Sequence, residues 1–284
     1  MNFTKCLIAG LPASGKSTYI GALWYTLRHA NSESEMKMRS DDDLPNDINT
    51  LTHLSNLWKV GTRIDRTNSN ATDSVQINIE DKESKSRFIL EVPDFLGETF
   101  RDVIDLKAND QLGRWCEDSD TLLYFIEELN PGEFEDDDIH DEEENSAESE
   151  VLPVLTSSDM ALDAQNIMIL KYLFGQKAFE KVVFVLSRWD KYTDNGKRQC
   201  NPEEYLKRTS PALFNFITHY VKSYNIVGLS AQGCSYPDKN VSGEELKEFK
   251  SQIIALTRTG KRAFVEIGDE IFYDLSLPLY MLLH

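Results

Sequence analysis

The chain has 284 residues, of which 40% are hydrophobic and 27% charged, and its formal net charge is −18. This length suits one large domain or two small ones with a substantial core. An acidic chain without a basic cluster is a poor nucleic-acid binder, and without an apolar run of about 18 residues it has no candidate transmembrane helix. The start lacks a signal-peptide pattern and the four cysteines are widely spaced, so we expect a cytoplasmic protein with free thiols.

Strand-like and helix-like patterns alternate along the chain. The predicted strands cover residues 5–9, 75–80, 87–92, 121–126, 181–186 and 225–229. The predicted helices cover residues 17–29, 47–60, 99–112, 159–174 and 202–220, with helical or mixed structure from there to the C-terminus. A short polar link at 81–85 predicts that the second and third strands form a hairpin. The alternation favours an α/β fold with a mostly parallel sheet, one antiparallel edge hairpin and helices on both faces.

The predicted organisation is a single domain over residues 1–284 with two insertions. One is helical, at about 31–60, and the other is acidic and disordered, at about 131–158. Residues 133–150 contain eleven acidic side chains and no lysine or arginine, so much of the net charge is local. Two interpretations of this segment stay open: a solvated loop, or a docking strip for a basic surface of a partner.

A phosphate-binding loop follows the first predicted strand. Residues 10–17, GLPASGKS, match the pattern G-x-x-x-x-G-K-[ST] between a strand and a helix. Backbone N–H groups of such a loop and the helix N-terminus form a concave anion site. The residues expected to line it are Gly10, Ser14, Gly15 and Thr18. The Lys16 ammonium should reach the β- and γ-phosphates of a nucleotide, and the Ser17 hydroxyl should be a ligand of Mg²⁺.

A D-x-x-G pattern follows the predicted strand at 87–92. Asp94 stands where a second Mg²⁺ partner lies, usually reached through water. Gly97 would let its backbone N–H approach the γ-phosphate closely. Directly after a strand and downstream of a phosphate loop, this pattern is typical of a GTPase switch, although an ordinary strand-end turn would look the same.

Two later segments have the pattern of a guanine site. In S-R-x-D, Asp190 would accept hydrogen bonds from guanine N1 and N2, which favours guanine over adenine because unpaired buried groups are costly. Arg188 has a long stem that could cover the base, and Ser187 replaces the usual Asn or Thr. The alternative for Asp190 is a helix cap or a surface carboxylate. Further on, the loop that holds Ser230 and Ala231 would present a backbone N–H to guanine O6.

These four segments, in this order, resemble the TRAFAC class of P-loop GTPases. The stretches GLPASGKSTYIGALW, VPDFLGE followed by Phe100 and Arg101, and SRWD are more narrowly similar to the bacterial double-GTPase families of conflict and defence gene neighbourhoods. The resemblance covers most of the chain except about 31–60 and 131–158. It implies a Ras-like sheet, GTP and GDP as ligands with Mg²⁺, and a nucleotide state that controls a separately encoded protein partner. Antiviral defence and a homodimer paired across the nucleotide sites are implications of the resemblance alone.

The resemblance also assigns roles by position. Gly15, Lys16, Ser17 and Thr18 would hold phosphates and Mg²⁺, Asp94 and Gly97 would sense the γ-phosphate, and Asp190 would read guanine. Glu98 stands where many GTPases orient the attacking water with Gln. A carboxylate there could orient water while slowing intrinsic hydrolysis, or it could be the first-turn acid of the next helix.

A switch threonine that closes over Mg²⁺ should lie in the polar stretch before residue 75. We favour Thr67 over Thr62 and Thr72 because it lies mid-stretch beside Arg66. Arg63 or Arg66 could serve as an internal arginine finger, or be an ordinary solvated side chain.

Two other functions stay open. A small-molecule or nucleotide kinase that uses ATP has a similar loop, but it needs an arginine-rich lid, whereas the long insertion here is acidic. A nucleotide-binding adaptor with little or no hydrolysis is compatible with Glu98 and with the altered S-R-x-D pattern. The leading hypothesis is a GTP-binding, GTP-hydrolysing switch.

Overall fold

The computed structural model describes residues 3–30, 36–64, 74–93, 100, 103–105, 110–127, 160–194, 197–198, 200–234 and 242–284. The predicted acidic insertion at about 131–158 lies outside these ranges. The interpretation of the chain as one domain stays a prediction.

Eleven strands and eight helices lie in the described ranges. The strands are β1 (Phe3–Gly10), β2 (Met38–Ser40), β3 (Ser74–Asp81), β4 (Arg87–Pro93), β5 (Thr121–Ile126), β6 (Lys181–Ser187), β7 (Thr193–Asp194), β8 (Lys197–Arg198), β9 (Tyr224–Ser230), β10 (Phe264–Ile267) and β11 (Glu270–Phe272). The helices are α1 (Lys16–His29), α2 (Ile48–Lys59), α3 (Asp110–Asp118), α4 (Leu162–Gln176), α5 (Pro202–Thr209), α6 (Pro211–Tyr220), α7 (Gly243–Arg258) and α8 (Leu277–Leu283). None of these helices is both long and apolar enough to cross a membrane.

Nine strands form one sheet in the order β11-β10-β9-β6-β5-β1-β4-β3-β2. Its five middle strands, from β9 to β4, are parallel. Their carboxyl ends therefore lie at one edge, which is where ligands bind in open α/β sheets. The predicted α/β class with a mostly parallel, Ras-like sheet is confirmed.

The prediction of one antiparallel edge hairpin was incomplete. The β3–β4 hairpin is present, and β2 extends it with a third antiparallel strand. The opposite edge is antiparallel as well, since β10 pairs with β9 and with β11. β2, β10 and β11 have only three or four residues each, too few for a clear period-two pattern.

Helices cover both faces of the sheet because side chains alternate along its strands. In β1, Cys6 and Ile8 face the core formed with α1, α2 and α8. Leu7 and Ala9 face the other core, formed with α3, α4, α5 and α6. All four residues are fully buried. Burying one large aliphatic side chain contributes about 1.5–3 kcal/mol, so the two cores hold β1 and its C-terminal loop in place.

The predicted helix at 47–60 is α2, and it packs tightly on α1. A Cβ on Gly21 of α1 would lie 2.7 Å from the carbonyl oxygen of Leu54, so glycine is needed at this crossing. Asp47 caps α2, since its carboxylate accepts from the N–H of Thr50 at 3.0 Å and from its hydroxyl at 2.6 Å.

Two helix predictions are corrected. The helix predicted over 202–220 is two helices, because Pro211 has no N–H to donate and restricts the residue before it. Ser210 ends α5 and begins α6. The helix predicted over 99–112 falls partly outside the described residues, but Asp105 within it lies in a turn, and α3 begins at Asp110 and ends at Asp118.

Candidate nucleotide site

Two glycines shape the loop between β1 and α1. Gly10 has φ of 142° and Gly15 has φ of 88°, conformations that other residues rarely adopt. A Cβ on Gly10 would lie 2.3 Å from the carbonyl oxygen of Phe125. Because glycine has no Cβ, β1 can lie close against β5 at this position and turn directly into the loop.

The N-terminus of α1 has the properties of an anion site. Within the described ranges no side chain caps the helix, and its first turn contains no acidic residue. The N–H groups of Lys16, Ser17 and Thr18 have no acceptor inside the helix, and they form the positive end of its dipole. This end of α1 fits a nucleotide phosphate.

The Lys16 side chain curls back over the loop. Its Nζ donates to the carbonyl oxygens of Gly10 at 2.8 Å and Leu11 at 2.7 Å, and to the Ser14 hydroxyl at 3.1 Å. Burial lowers the pKa of Lys16 to about 7, although the nearby Glu127 carboxylate acts to raise it. The ammonium is therefore held inside the concave loop, where an anion would stabilise its charge.

The described part of the expected Mg²⁺ site is Ser17. This residue is half-buried in the first turn of α1, directly after Lys16. A hydroxyl oxygen is a ligand that Mg²⁺ accepts, so the residue fits the role assigned to it. The other expected groups, Thr67, Asp94, Gly97 and Glu98, lie outside the described residues, and their roles stay predictions.

Two candidates for the switch segment lie just after α2. Thr62 and Arg63 are both exposed. The Thr62 N–H donates to the carbonyl oxygen of Leu57 at 2.9 Å, and the Gly61 N–H donates to that of Trp58 at 3.0 Å. This is the hydrogen-bond pattern of a Schellman motif, so Thr62 belongs to the C-terminal end of α2.

The rest of the expected switch segment lies outside the described ranges. Residues 65–73, which include Arg66, Thr67 and Thr72, belong to it. The choice of Thr67 among the threonines therefore stays a prediction, and so does an internal arginine finger.

The base side of the site joins the ends of β6 and β9. The Ser230 hydroxyl, fully buried at the end of β9, donates to Asp190 Oδ1 at 2.5 Å. The same hydroxyl oxygen accepts from the N–H of Gly233 at 3.0 Å. Ser230 thus connects the two segments that were predicted separately to read guanine, and it orients the Asp190 carboxylate.

Ser187 and Arg188 have different surroundings. Ser187 is buried, its hydroxyl donates to the carbonyl oxygen of Ile126 at 3.1 Å, and its Cβ would lie 3.4 Å from a Cβ built on Gly15. Arg188 has φ of 54°, and its guanidinium lies 3.6 Å from the Glu127 carboxylate. Ser187 therefore links β5 and β6 beside the phosphate loop, and a contact of either residue with the base stays a prediction.

The residue before Asp190 is a buried tryptophan whose contacts fix the turn that holds Asp190. Trp189 is 1% exposed, and its indole Nε1 donates to the buried carboxylate of Glu266 at 2.8 Å. A Cβ on Gly228 would lie 2.4 Å from the Trp189 ring, so glycine at that position leaves room for the ring. The short 3-10 turn Trp189–Lys191 is fixed in this way.

Three residues near the site were missed by the sequence analysis: Glu127, Trp58 and Arg262. Glu127 is the first polar residue after the apolar strand β5, and that position at the carboxyl edge of the sheet was a usable signal. Trp58 and Arg262 lie outside the motifs of the sequence analysis. Their contacts with residues 231–233, which follow β9 and are called the base-side loop from here on, follow only from the fold.

A phosphate loop after β1 and an aspartate–serine pair at the carboxyl ends of β6 and β9 form the arrangement expected of a P-loop GTPase. The family model Double-GTPase 1 matches residues 7–282. The chain belongs to the Double-GTPase 1 family, as the sequence resemblance implied. None of the curated proteins matches the chain.

Solved structures that are similar to the chain include three proteins. Bacterial selenocysteine-specific elongation factor EF-Sec is 15% identical with a TM-score of 0.38, and the match covers 91% of this chain but 29% of the factor. The G domain of the T. maritima FeoB iron transporter is 13% identical with a TM-score of 0.33, covering 89% and 99%. SRb from the Chaetomium thermophilum SRb-GTP/SRX complex is 11% identical with a TM-score of 0.38, covering 88% and 99%. At such low similarity these structures add nothing to the assignment, which rests on the family match.

Proposed function

We propose that this GTPase is a molecular switch that binds GTP and GDP with Mg²⁺, hydrolyses GTP, and controls a separately encoded protein partner through its nucleotide state. The observation that carries the proposal is the position of two groups at one edge of the parallel sheet. The Lys16 loop follows β1, and the Asp190–Ser230 pair lies at the carboxyl ends of β6 and β9. A phosphate site and a base site at that edge suit the two ends of a nucleotide.

The site residues have distinct roles in this proposal. Lys16 and the first-turn N–H groups of α1 would bind the β- and γ-phosphates. Ser17, with Asp94 and Thr67, would hold Mg²⁺, which supplies charge neutralisation at the phosphates when bound. Asp190 would accept from guanine N1 and N2, and the N–H of Ala231 would donate to O6.

Hydrolysis depends on residues outside the described ranges. Glu98 would orient the attacking water, and its negative charge beside the γ-phosphate would make intrinsic turnover slow or partner-dependent. The adaptor with little or no hydrolysis is the second candidate, because Glu98 stands where many GTPases have Gln and Ser187 replaces the usual Asn or Thr. Family membership does not favour the ATP-using kinase.

The kind of partner is inferred from the charge of the acidic segment. The acidic segment 133–150 would attract a basic protein surface, and that attraction would weaken with salt. A cytoplasmic location, a role in antiviral defence and pairing of two copies belong to the same proposal.

Single-turnover hydrolysis of GTP tests the switch against the adaptor. Purified protein in excess over GTP should release phosphate in Mg²⁺, and Lys16→Ala should abolish release because the phosphates lose their cation. Glu98→Gln should speed release without preventing GTP binding, because the amide can still orient the water and the negative charge beside the γ-phosphate is removed. GTP that binds but stays intact, in wild type and with candidate partners present, would favour the adaptor.

A further inference from the structure

A tryptophan outside the nucleotide-binding motifs donates a hydrogen bond to the backbone of the base-side loop. Trp58 lies in the last turn of α2, and its indole Nε1 donates to the carbonyl oxygen of Ala231 at 2.7 Å. Trp58 is 2% exposed and Ala231 is 7% exposed. The hydrogen bond therefore forms away from water, and its loss would leave a buried carbonyl without that donor.

Arg262, just before β10, completes this support. Its guanidinium lies 3.9 Å from the centre of the Trp58 ring. Nε donates to the carbonyl oxygen of Gln232 at 3.1 Å and Nη2 to the Gln232 side chain at 2.8 Å. Nη1 donates to the carbonyl oxygen of Lys59 at 3.4 Å and to the Thr257 hydroxyl at 3.2 Å. Arg262 is 2% exposed, so a buried charge is fixed by several acceptors.

The loop is also pressed against the Arg262 backbone. Gly233 has φ of 81°, and a Cβ there would lie 1.7 Å from the carbonyl oxygen of Arg262. The N–H of Gly233 donates to Ser230, whose hydroxyl donates to Asp190. The segment 231–233 therefore contacts the Trp58–Arg262 pair directly and, through Ser230, is linked to the aspartate proposed to read guanine.

We propose that Trp58 and Arg262 are positioning residues for guanine recognition. They fix the backbone of residues 231–233, so that the Ala231 N–H is held where guanine O6 accepts it. The inference rests on the proposed function, in which this loop reads the base. A binding group works only when neighbours hold it to within about 0.5 Å, and three hydrogen bonds of this pair are made with residues 231 and 232.

The affinities for GTP, ITP and ATP distinguish a positioning role of the pair from a purely structural one. GTP and ITP both carry an oxygen at position 6, whereas ATP carries an amino group there. If the pair positions the Ala231 N–H, its loss weakens GTP and ITP and spares ATP, which is held by its phosphates. If the pair only stabilises the core, its loss weakens all three nucleotides alike.

The test compares Trp58→Phe with Trp24→Phe in the full chain. Trp24 on α1 is a matched control, because it is also buried and has Arg28 over its ring at 5.6 Å. Titration with fluorescent GTP, ITP and ATP in Mg²⁺ should give about a tenfold higher Kd for GTP and ITP in Trp58→Phe, with ATP unchanged. Trp24→Phe should bind all three as wild type does.

Arg262→Lys provides a second variant if Trp58→Phe does not fold, since lysine keeps the charge but cannot donate to both Gln232 oxygens in the same way. It should show the same selective loss. Equal weakening of the three nucleotides, or no change in either variant, would overturn the inference while wild type still prefers GTP. A wild type that binds ATP as tightly as GTP would overturn the proposed function, and the inference with it.

Discussion

Gly10 is a residue that no other can replace without moving the sheet. Gly10→Ala would place a Cβ 2.3 Å from the Phe125 carbonyl oxygen at φ of 142°. We expect a loss of at least about 2 kcal/mol in the free energy of unfolding and loss of nucleotide binding. Chemical denaturation and a GTP titration measure the two effects.

Gly175→Ala is the matched control for that change. Gly175 lies in α4, and a Cβ there would meet nothing within 4 Å. Alanine should leave stability unchanged or raise it by up to about 1 kcal/mol, because it favours helix. Equal stability of the two variants would show that the close approach at Gly10 is not needed.

Lys16 should make nucleotide affinity depend on pH. Its pKa is about 7 in the protein, and bound phosphate raises it by stabilising the ammonium. Below pH 7 the lysine is already charged, whereas above pH 7 binding must take up a proton. The Kd for GDP should therefore rise between pH 7 and 8.5, by up to about tenfold per pH unit.

Lys16→Arg shows whether the pH dependence of the Kd for GDP comes from Lys16 or from other titrating groups. The guanidinium stays charged throughout this range, so the variant should show a flat Kd for GDP between pH 7 and 8.5, whatever its absolute affinity. A wild-type Kd that is also flat would mean that the lysine is charged before the nucleotide binds.

Helix α2 has a capping residue at its N-terminus, Asp47, and a residue that contacts the proposed base site near its C-terminus, Trp58. Asp47→Ala should lower the free energy of unfolding by about 0.5–2 kcal/mol, the usual range for a lost N-cap. Hydrogen bonds from the Thr50 hydroxyl and N–H lower the pKa of Asp47. Its contribution is therefore present above the unfolded pKa of about 3.9 and is lost as pH falls through the folded pKa.

Asp42→Ala controls for the change in charge. Asp42 is exposed beside β2, outside any helix, so its replacement should change stability by less than about 0.5 kcal/mol. Urea denaturation at pH 7 and at pH 3 compares both variants with wild type. A capping role is wrong if the two variants are equally stable at pH 7.

Elements with a strong local pattern were predictable from the sequence. The apolar strand at 121–126 was predicted with its observed bounds, and the Gly10–Ser17 loop follows from contiguous letters. The three-residue β2 and the β10–β11 edge were not, because short strands have no clear period. Trp58 and Ala231 are 173 positions apart, so no local pattern could show that they meet.

At the scale of the whole molecule, the parallel order of β9, β6, β5, β1 and β4 gathers residues from distant parts of the chain at one edge. Lys16 and Asp190 belong to segments that the sequence analysis treated separately. The fold places both after carboxyl ends of parallel strands, as nucleotide binding in an open α/β sheet requires. The acidic segment 133–150 adds charge, and its proposed partner should bind less tightly at high salt.

Guanine recognition by Asp190 is best tested by titrating wild type and Asp190→Asn with fluorescent GTP, ATP and XTP in Mg²⁺. Asparagine offers a donor where aspartate only accepts, which matches the 2-oxygen of xanthine instead of the 2-amino group of guanine. Wild type should prefer GTP, and the variant should lose GTP affinity and gain XTP affinity, which a merely destabilised protein would not do. Equal binding of ATP and GTP by wild type, with no change in Asp190→Asn, would contradict a guanine-reading site.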